Sequence, residues 1–404
     1  MNILVFNCGS SSINYKLYQT QNEKSLDLII KGKGHRVGTS GTSPSFIEHF
    51  NCDEVIRTDI KLKNHQQAAR LILNHLIASG FSIDMIGHRF VHGGERFQKS
   101  TLLTDEIIDD IEACLPLAPI HNPNSWRVIK ECQSMLPDIP QYLTFDTAFH
   151  ANLEPYVYSY ALPQKLREEY GLRKYGFHGL SYQYISLKVP EILDISPEKL
   201  KMIVCHLGTG GSSVAAIQNG QSIDTSMGFS PTAGLIMSTR CGDIDPSIPI
   251  FLADELNYPP EHINRMLNKE SGLLGISKIS SDLRDLFKEY ESNGDKKAQL
   301  AIKMYVHQLI KYIGAYAAIL NGLDILVFTD DVGVQCRLLR KMVCDHFSWF
   351  GIQLDNKLNN KNSFNKPEFV NSDNSSIKVL VMPTDEELMI GYEGVRILED
   401  LEIQ

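Results

Sequence analysis

One arrangement occurs twice in this chain, and it constrains the fold more than any other feature. Ile3 to Asn7 reads as a short apolar strand, Cys8-Gly9-Ser10-Ser11-Ser12 as a tight turn, and Ile13 to Tyr18 as a second strand. In that second strand Ile13, Tyr15 and Leu17 share one face, and Asn14 and Lys16 share the other. About half a chain later the same layout returns: Met202 to His206, then Leu207-Gly208-Thr209-Gly210-Gly211-Ser212-Ser213, then Val214 to Ile217. Two similar lobes are therefore expected, each contributing a glycine-rich hairpin to one cleft. Between the hairpins, residues 65–79 place Ala68, Leu71, Ile72 and Leu76 along one helical face. Residues 299–320 do the same with Met304, Leu309, Ile310, Ile313 and Ala317, and lead into a strand at 324–328. Strands alternating with helices predict α/β layering. Thr384-Asp385-Glu386-Glu387 reads as a capping box that starts a final helix. Residues 355–377, rich in Asn, Lys and Ser, read as an exposed loop without chemistry. A break between lobes is expected near 148–155.

Composition narrows the function classes. The chain has 404 residues, enough for two or three domains, with 43% apolar and 22% charged residues. A net charge of −9 argues against a nucleic-acid binder. No apolar run is long enough to span a membrane, and the first residues lack a basic region and a long apolar run of the export type. The eight cysteines, at 8, 52, 114, 132, 205, 241, 336 and 344, form no CxxC, and read as reduced, buried thiols of a cytoplasmic protein.

Glycines and hydroxyl residues in a turn let backbone N–H groups converge on an anion without Cβ obstruction. Gly9 to Ser12 and Gly208 to Ser213 both fit, although neither is a GxxxxGK[ST] loop; taken singly, each is also an ordinary hairpin turn. Arg89 and Arg240 each lie beside small residues in apolar stretches, as a guanidinium that grips carboxylate or phosphate would; the alternative for Arg240 is an ion pair with Asp243 or Asp245. His121, His150, His178 and His206 sit in turns with Gly, Pro or Phe. His88 and His92 are four apart in an extended stretch, about 13 Å, too far for one ion, and no HExxH is present. A metal would then be Mg²⁺ shared with substrate phosphates. Asp146 follows an apolar run, where a strand end opens to a loop; it reads equally as a catalytic carboxylate or as an Asx cap.

These pieces resemble the acetate kinase family, of the superfamily that includes sugar kinases, Hsp70 and actin. The matching stretches are NxGSSS at 7–12, HRFVHGG at 88–94, LAPIHNP at 117–123, FDTAFH at 145–150, YGFHG at 175–179, HLGTGG at 206–211, DTSMGF at 224–229, STRCGDIDP at 238–246, SGLLGIS at 271–277, SSDLRD at 280–285 and PTDEEL at 383–388. The resemblance implies two duplicated βββαβαβα lobes, ribonuclease H-like, around a central cleft. The first would comprise residues 1–150 with the C-terminal helix 385–404, and the second residues 151–384. It also implies a homodimer and reversible phosphoryl transfer between acetate and acetyl phosphate. On that basis Asp146, His178 and Arg240 would be catalytic, and Arg89, His121 and Arg240 would hold the substrate. Ser10, Ser12, Lys16, His206, Gly208, Thr209, Gly210, Asp282, Arg284 and Gly333 would line the phosphate or nucleotide side. Asn7 and Glu386 would support Mg²⁺, with Mn²⁺ the alternative ion. The chemistry agrees, because phosphoryl transfer needs mainly positioning and charge neutralisation.

The departures from the family pattern bear on the phosphoryl partner. The family's lysine two residues after SSS is Asn14 here, with Lys16 two residues further along the same face. Its HLGNG asparagine is Thr209, its GTSH ends in Tyr182, and its FT[AG]GIGEN becomes Phe328-Thr329-Asp330-Asp331-Val332-Gly333-Val334-Gln335. In the family that last turn packs against the nucleotide. A carboxylate about 4 Å from a phosphate charge costs on the order of 4 kcal/mol at an effective dielectric near 20. The pattern resembles the diphosphate-linked acetate kinases of anaerobic protists, so orthophosphate/diphosphate is expected as partner ahead of ADP/ATP. A propionate-using enzyme and a non-catalytic actin- or Hsp70-like binder are the other readings; the second conflicts with the presence of Arg89, Asp146, His178 and Arg240.

Overall fold

Strand β1 (Asn2–Cys8) is buried from Ile3 to Cys8, as a near-continuous apolar run at a sheet centre should be. The computed structural model describes residues 1–22, 25–39, 44–51, 54–361 and 364–402; Cys52 lies outside them. Beside β1 run β2 (Ser12–Asn22), β3 (Ser25–His35), β4 (Phe46–Asn51) and β5 (Glu54–Asp59), and on its other side β6 (Met85–Phe90), β7 (Thr101–Leu102) and β8 (Gln141–Phe145), in the order β5-β4-β3-β2-β1-β6-β8-β7. A second sheet holds β9 (Lys201–Leu207), β10 (Ser212–Gln218), β11 (Gln221–Thr225), β12 (Ile325–Thr329), β13 (Glu368–Phe369) and β14 (Lys378–Val381), in the order β11-β10-β9-β12-β14-β13. The two sheets repeat one plan. β1 pairs antiparallel with β2 and parallel with β6, which pairs parallel with β8. Likewise β9 pairs antiparallel with β10 and parallel with β12, which pairs parallel with β14. This is a duplicated, ribonuclease H-like α/β fold.

The chain divides into two compact units, Met1–Ala151 with Asp385–Gln404, and Asn152–Thr384. The hairpin turns match in detail: Gly9 N–H donates to Ser12 O at 2.9 Å, and Gly208 N–H to Gly211 O at 3.0 Å. Ile13, Tyr15 and Leu17 are buried while Asn14 and Lys16 are half-buried, as the alternation requires. Helices span His65–Ala78 and Lys296–Ile319, each with an apolar stripe against a sheet, although Met304, expected on the second stripe, is exposed. None of the described helices is long and apolar enough to cross a membrane.

Two expectations need correction. The final helix, Glu386–Glu402, is capped by Asp385, whose carboxylate accepts Leu388 N–H at 2.9 Å; the Thr384 hydroxyl is buried without a partner. The cap therefore sits one residue later than the box suggests, because aspartate is the stronger acceptor. Residues 355–377 are also more than an exposed loop. They hold a helical turn, Asn356–Asn359, the edge strand β13, and buried Phe364 and Val370. Asn359 anchors the fully buried Arg340 (Nε to Oδ1 2.8 Å), which in turn donates to Gly333 O and Val334 O at 2.8 and 2.7 Å. The segment supports the 330–335 turn from behind.

Seven cysteines are free thiols, six of them buried; burial pushes Cys8 up to about 12 and Cys114 up to about 11, so they pack rather than react. His88 is buried on β6, stacked on Phe6 and bonded to Gln141 Oε1 at 2.8 Å. Burial lowers its pKa from 6.5 to about 4. A native pKa below the unfolded one means that the folded state resists protonation. The stabilisation is complete above about pH 6.5 and is lost as pH falls towards 4, by up to about 3 kcal/mol. Urea unfolding at pH 7 and pH 4.5 is expected to show this loss, and His88→Gln to flatten the dependence; equal slopes in both proteins would contradict it.

Candidate active site

In the first unit Arg89 is the penultimate residue of β6 and Asp146 follows β8, which places both at the carboxyl ends of parallel strands. They form a two-pronged pair, Nε to Oδ1 2.8 Å and Nη2 to Oδ2 2.5 Å, with Asp146 only 1% exposed. The remaining Arg89 nitrogen, Nη1, donates to Asn7 Oδ1 at 3.0 Å and lies 3.9 Å from Glu386 Oε2. Burial opposes the Arg89 charge, but Asp146, Glu386 and Glu387 outweigh it and hold its pKa above the ordinary value. Asn7, at the end of β1, donates through Nδ2 to Glu386 Oε2 at 3.2 Å and Glu387 Oε1 at 2.9 Å.

Lys16 lies on the same strand face as Asn14, as expected, but its ammonium is bound to Asp385 at 2.7 Å and lies 3.5 Å from Glu387. Asn14 Nδ2 also reaches Glu387, at 3.3 Å. The lysine is thus engaged by carboxylates of the final helix's first turn. Ser10 is exposed and Ser12 half-buried on the first turn. His65, which the sequence reading did not single out, accounts for the turn's shape. Its Nε2 lies 3.0 Å from Gly9 O and 3.2 Å from Ser12 O. A contact across 56 residues leaves no local sequence signal. His121 precedes the helix Asn122–Met135, half-buried, and Asn122 ties that helix start to His92 and Cys114 carbonyls.

In the second unit His178, His206 and Arg240 gather at the second turn. The rings of His178 and His206 lie 4.1 Å apart, centroid to centroid. A Cβ built on Gly211 would sit 3.3 Å from His178 Nε2 and 3.2 Å from Arg240 Nη1, so both point at one spot and only glycine leaves it open. Arg240 has no carboxylate within ion-pair distance among the described residues. The alternative pairing does not form: Asp243 accepts from Gly234 N, Gln308 and Tyr312, and Asp245 from Ser247 N. Burial lowers the Arg240 pKa, so the site holds a desolvated cation in want of an anion. Gly272, with φ +61°, fixes the Arg240 turn; a Cβ there would sit 2.2 Å from Met237 O.

The 330–335 segment is a helical turn, Asp330–Gln335. Asp331 accepts from Thr209 N at 2.8 Å, Thr209 Oγ1 at 3.0 Å and Arg284 Nη2 at 3.2 Å. Asp330 sits at φ 61° with its carboxylate 3.1 Å from His206 Nε2 and close against Gly208. Arg284 is further bound to Asp282, Nη2 to Oδ2 2.6 Å, and to Gln335 Oε1. Asp282 also caps the helix Leu283–Asn293. Gly210 faces open space, while Gly333 is buried with its carbonyl held by Arg340. The cavity left among Gly208, Thr209, Ser238, Leu283 and Val332 measures about 10 Å³, room for about one water molecule.

The duplicated ribonuclease H-like fold thus carries, in each unit, a cluster of polar and charged side chains beside a glycine-rich hairpin. The family model for the acetokinase family matches residues 2–392. An acetate kinase of Dictyoglomus thermophilum is 43% identical, over 98% of this chain and 99% of its own. Among solved structures, acetate kinase from Entamoeba histolytica is 44% identical with a TM-score of 0.88, covering 98% of this chain and 99% of that one. A propionate kinase from Francisella tularensis is 37% identical, also with a TM-score of 0.88, covering 97% and 98%. The chain belongs to the acetokinase family, and is an enzyme that transfers a phosphoryl group to a carboxyl acceptor.

Proposed function

We propose that this chain catalyses reversible phosphoryl transfer between acetate and acetyl phosphate, with orthophosphate/diphosphate as its favoured partner over ADP/ATP. An acetate oxygen attacks the terminal phosphorus of diphosphate, the bridging P–O bond breaks, and orthophosphate leaves. Acetate is already ionised near pH 7, so no general base is needed. The carrying observation is the closure around Asp331: its carboxylate occupies the Thr209 donors, and Arg284 is spent on Asp282, Asp331 and Gln335.

Arg240 and His178 are read as the donors to the transferring phosphoryl, and Arg89 and His121 as holding the small acid. Asp146 sets the Arg89 fork. Glu386 and Glu387 carry the hard carboxylate oxygens that Mg²⁺ or Mn²⁺ takes, with Asn7 Nδ2 holding both and Asn7 Oδ1 accepting from Arg89; the remaining positions would be left to phosphate oxygens and water. The ion would neutralise charge on those oxygens. A propionate acceptor differs by one methylene, worth about 1–3 kcal/mol in a pocket. The homodimer is supported by the helix Ser247–Asp254, which leaves Ile248, Ile250 and Phe251 exposed. Purified protein given acetyl phosphate and Mg²⁺ is expected to form diphosphate from orthophosphate faster than ATP from ADP. Robust ATP formation without diphosphate would overturn the partner assignment and leave the carboxyl chemistry standing.

A further inference from the structure

Ser213 on β10 is fully buried between two partners: Tyr182 Oη at 2.5 Å and His178 Nδ1 at 2.8 Å. We propose that Tyr182 and Ser213 form a two-hydroxyl relay that holds the His178 imidazole with its proton on Nε2, and so act as positioning residues for phosphoryl transfer. The inference rests on the reading of His178 as a donor to the transferring phosphoryl.

A serine hydroxyl has one proton and two lone pairs, so between two partners it can receive from one and give to the other. The phenol is the more acidic O–H of the pair, and burial keeps Tyr182 protonated. In the relay Tyr182 donates to Ser213, and Ser213 gives its own proton to His178 Nδ1, the arrangement that uses every hydrogen of the pair. A ring nitrogen that accepts leaves the proton on the other one. That other nitrogen, Nε2, is the one facing the Gly211 spot alongside Arg240 Nη1. An N–H and a guanidinium then converge on one anion, where the opposite tautomer would present a lone pair to it.

The geometry is rigid. His178 sits at φ 60° immediately before the helix Gly179–Leu193, and its carbonyl accepts Tyr182 N–H at 3.1 Å, so both side chains share one helical turn. His206 lies against the ring of His178 and is held separately by Ser181 at 2.8 Å and Asp330 at 3.1 Å. A histidine in place of Tyr182 would also carry a proton it could donate, which makes Tyr182→His the conservative variant.

The test labels the 13 histidines with ¹⁵N and assigns His178 by its loss in His178→Gln. In the native protein His178 is expected to show a pyrrole-like Nε2 and a pyridine-like Nδ1. In Tyr182→Phe and in Ser213→Ala the two signals should average towards a tautomer mixture. Turnover should fall about 10-fold, with KM for acetyl phosphate within about threefold, and Tyr182→His should recover most of it. A proton on Nδ1 in the native protein, or an unchanged tautomer in Tyr182→Phe, overturns the relay. A shifted tautomer with unchanged turnover supports the relay and overturns the reading of His178. Since Tyr182→Phe removes one oxygen, an unchanged unfolding midpoint ties the effect to the hydrogen bond, and Ser213→Ala repeats the test from the other end.

Discussion

Replacing Arg240 with alanine is expected to lower turnover about 1,000-fold while leaving the unfolding midpoint unchanged or slightly raised. Preorganised donors aimed at a developing oxyanion are worth about 10²–10³ each, and a full guanidinium lies at the upper end. The stability half of the prediction comes from the missing partner. Arg240 has no carboxylate beside it among the described residues, and burial already disfavours its charge. Removing an uncompensated buried charge relieves the fold rather than weakening it. The Arg240 turn is secured by the backbone bonds Met237 N to Arg240 O and Leu273 N to Met237 O, so the substitution deletes the side chain without moving its neighbours. Millimolar guanidine should restore part of the rate. Turnover within threefold of the native value would remove Arg240 from the chemistry.

Arg89 makes the opposite case, and the contrast shows what a sequence can and cannot disclose. Both arginines stand in apolar stretches with small neighbours, and both look like anion grips. Asp243 and Asp245, within five residues of Arg240, look like its partners, yet Asp243 is drawn to Gln308 and Tyr312 on the long helix. Asp146, 57 residues from Arg89, is the one that pairs. Sequence proximity gives no distance between side chains once strands and helices cross. The paired hairpins were legible because a period of two and a glycine-rich turn are local properties. The same holds for the buried faces of β2 and of the helix His65–Ala78. His65 beneath the first turn, Glu387 beside Asn7, and Ser213 behind His178 were not legible, since each acts only through contacts made by the completed sheets. For Lys16 the strand decides which way the side chain points, and the acidic first turn of the last helix decides which protein groups it meets.

Asp331→Gly is expected to raise the ADP-linked rate about 10- to 100-fold relative to the diphosphate-linked rate. The full Coulomb cost of its charge about 4 Å from a phosphate, on the order of 4 kcal/mol, is an upper bound. The Asp331 side chain is 32% exposed and shares its charge with Arg284, so about 1–3 kcal/mol of that cost is realised. The substitution also frees Thr209 N–H and Oγ1 for an anion and leaves Arg284 on Asp282 alone among its carboxylate partners. It removes a carboxylate at the start of a helical turn, so a stability loss of about 1 kcal/mol should accompany it. The ratio of the two rates cancels that loss, because both are measured on the same folded protein. Gln335 is the control. It touches Arg284 but carries no charge, so Gln335→Ala should loosen the same corner without admitting ADP. If both variants shift the ratio equally, space rather than charge excludes the nucleotide. If neither does, the partner preference lies outside this turn, and Thr209 and Asn14 become the positions to exchange.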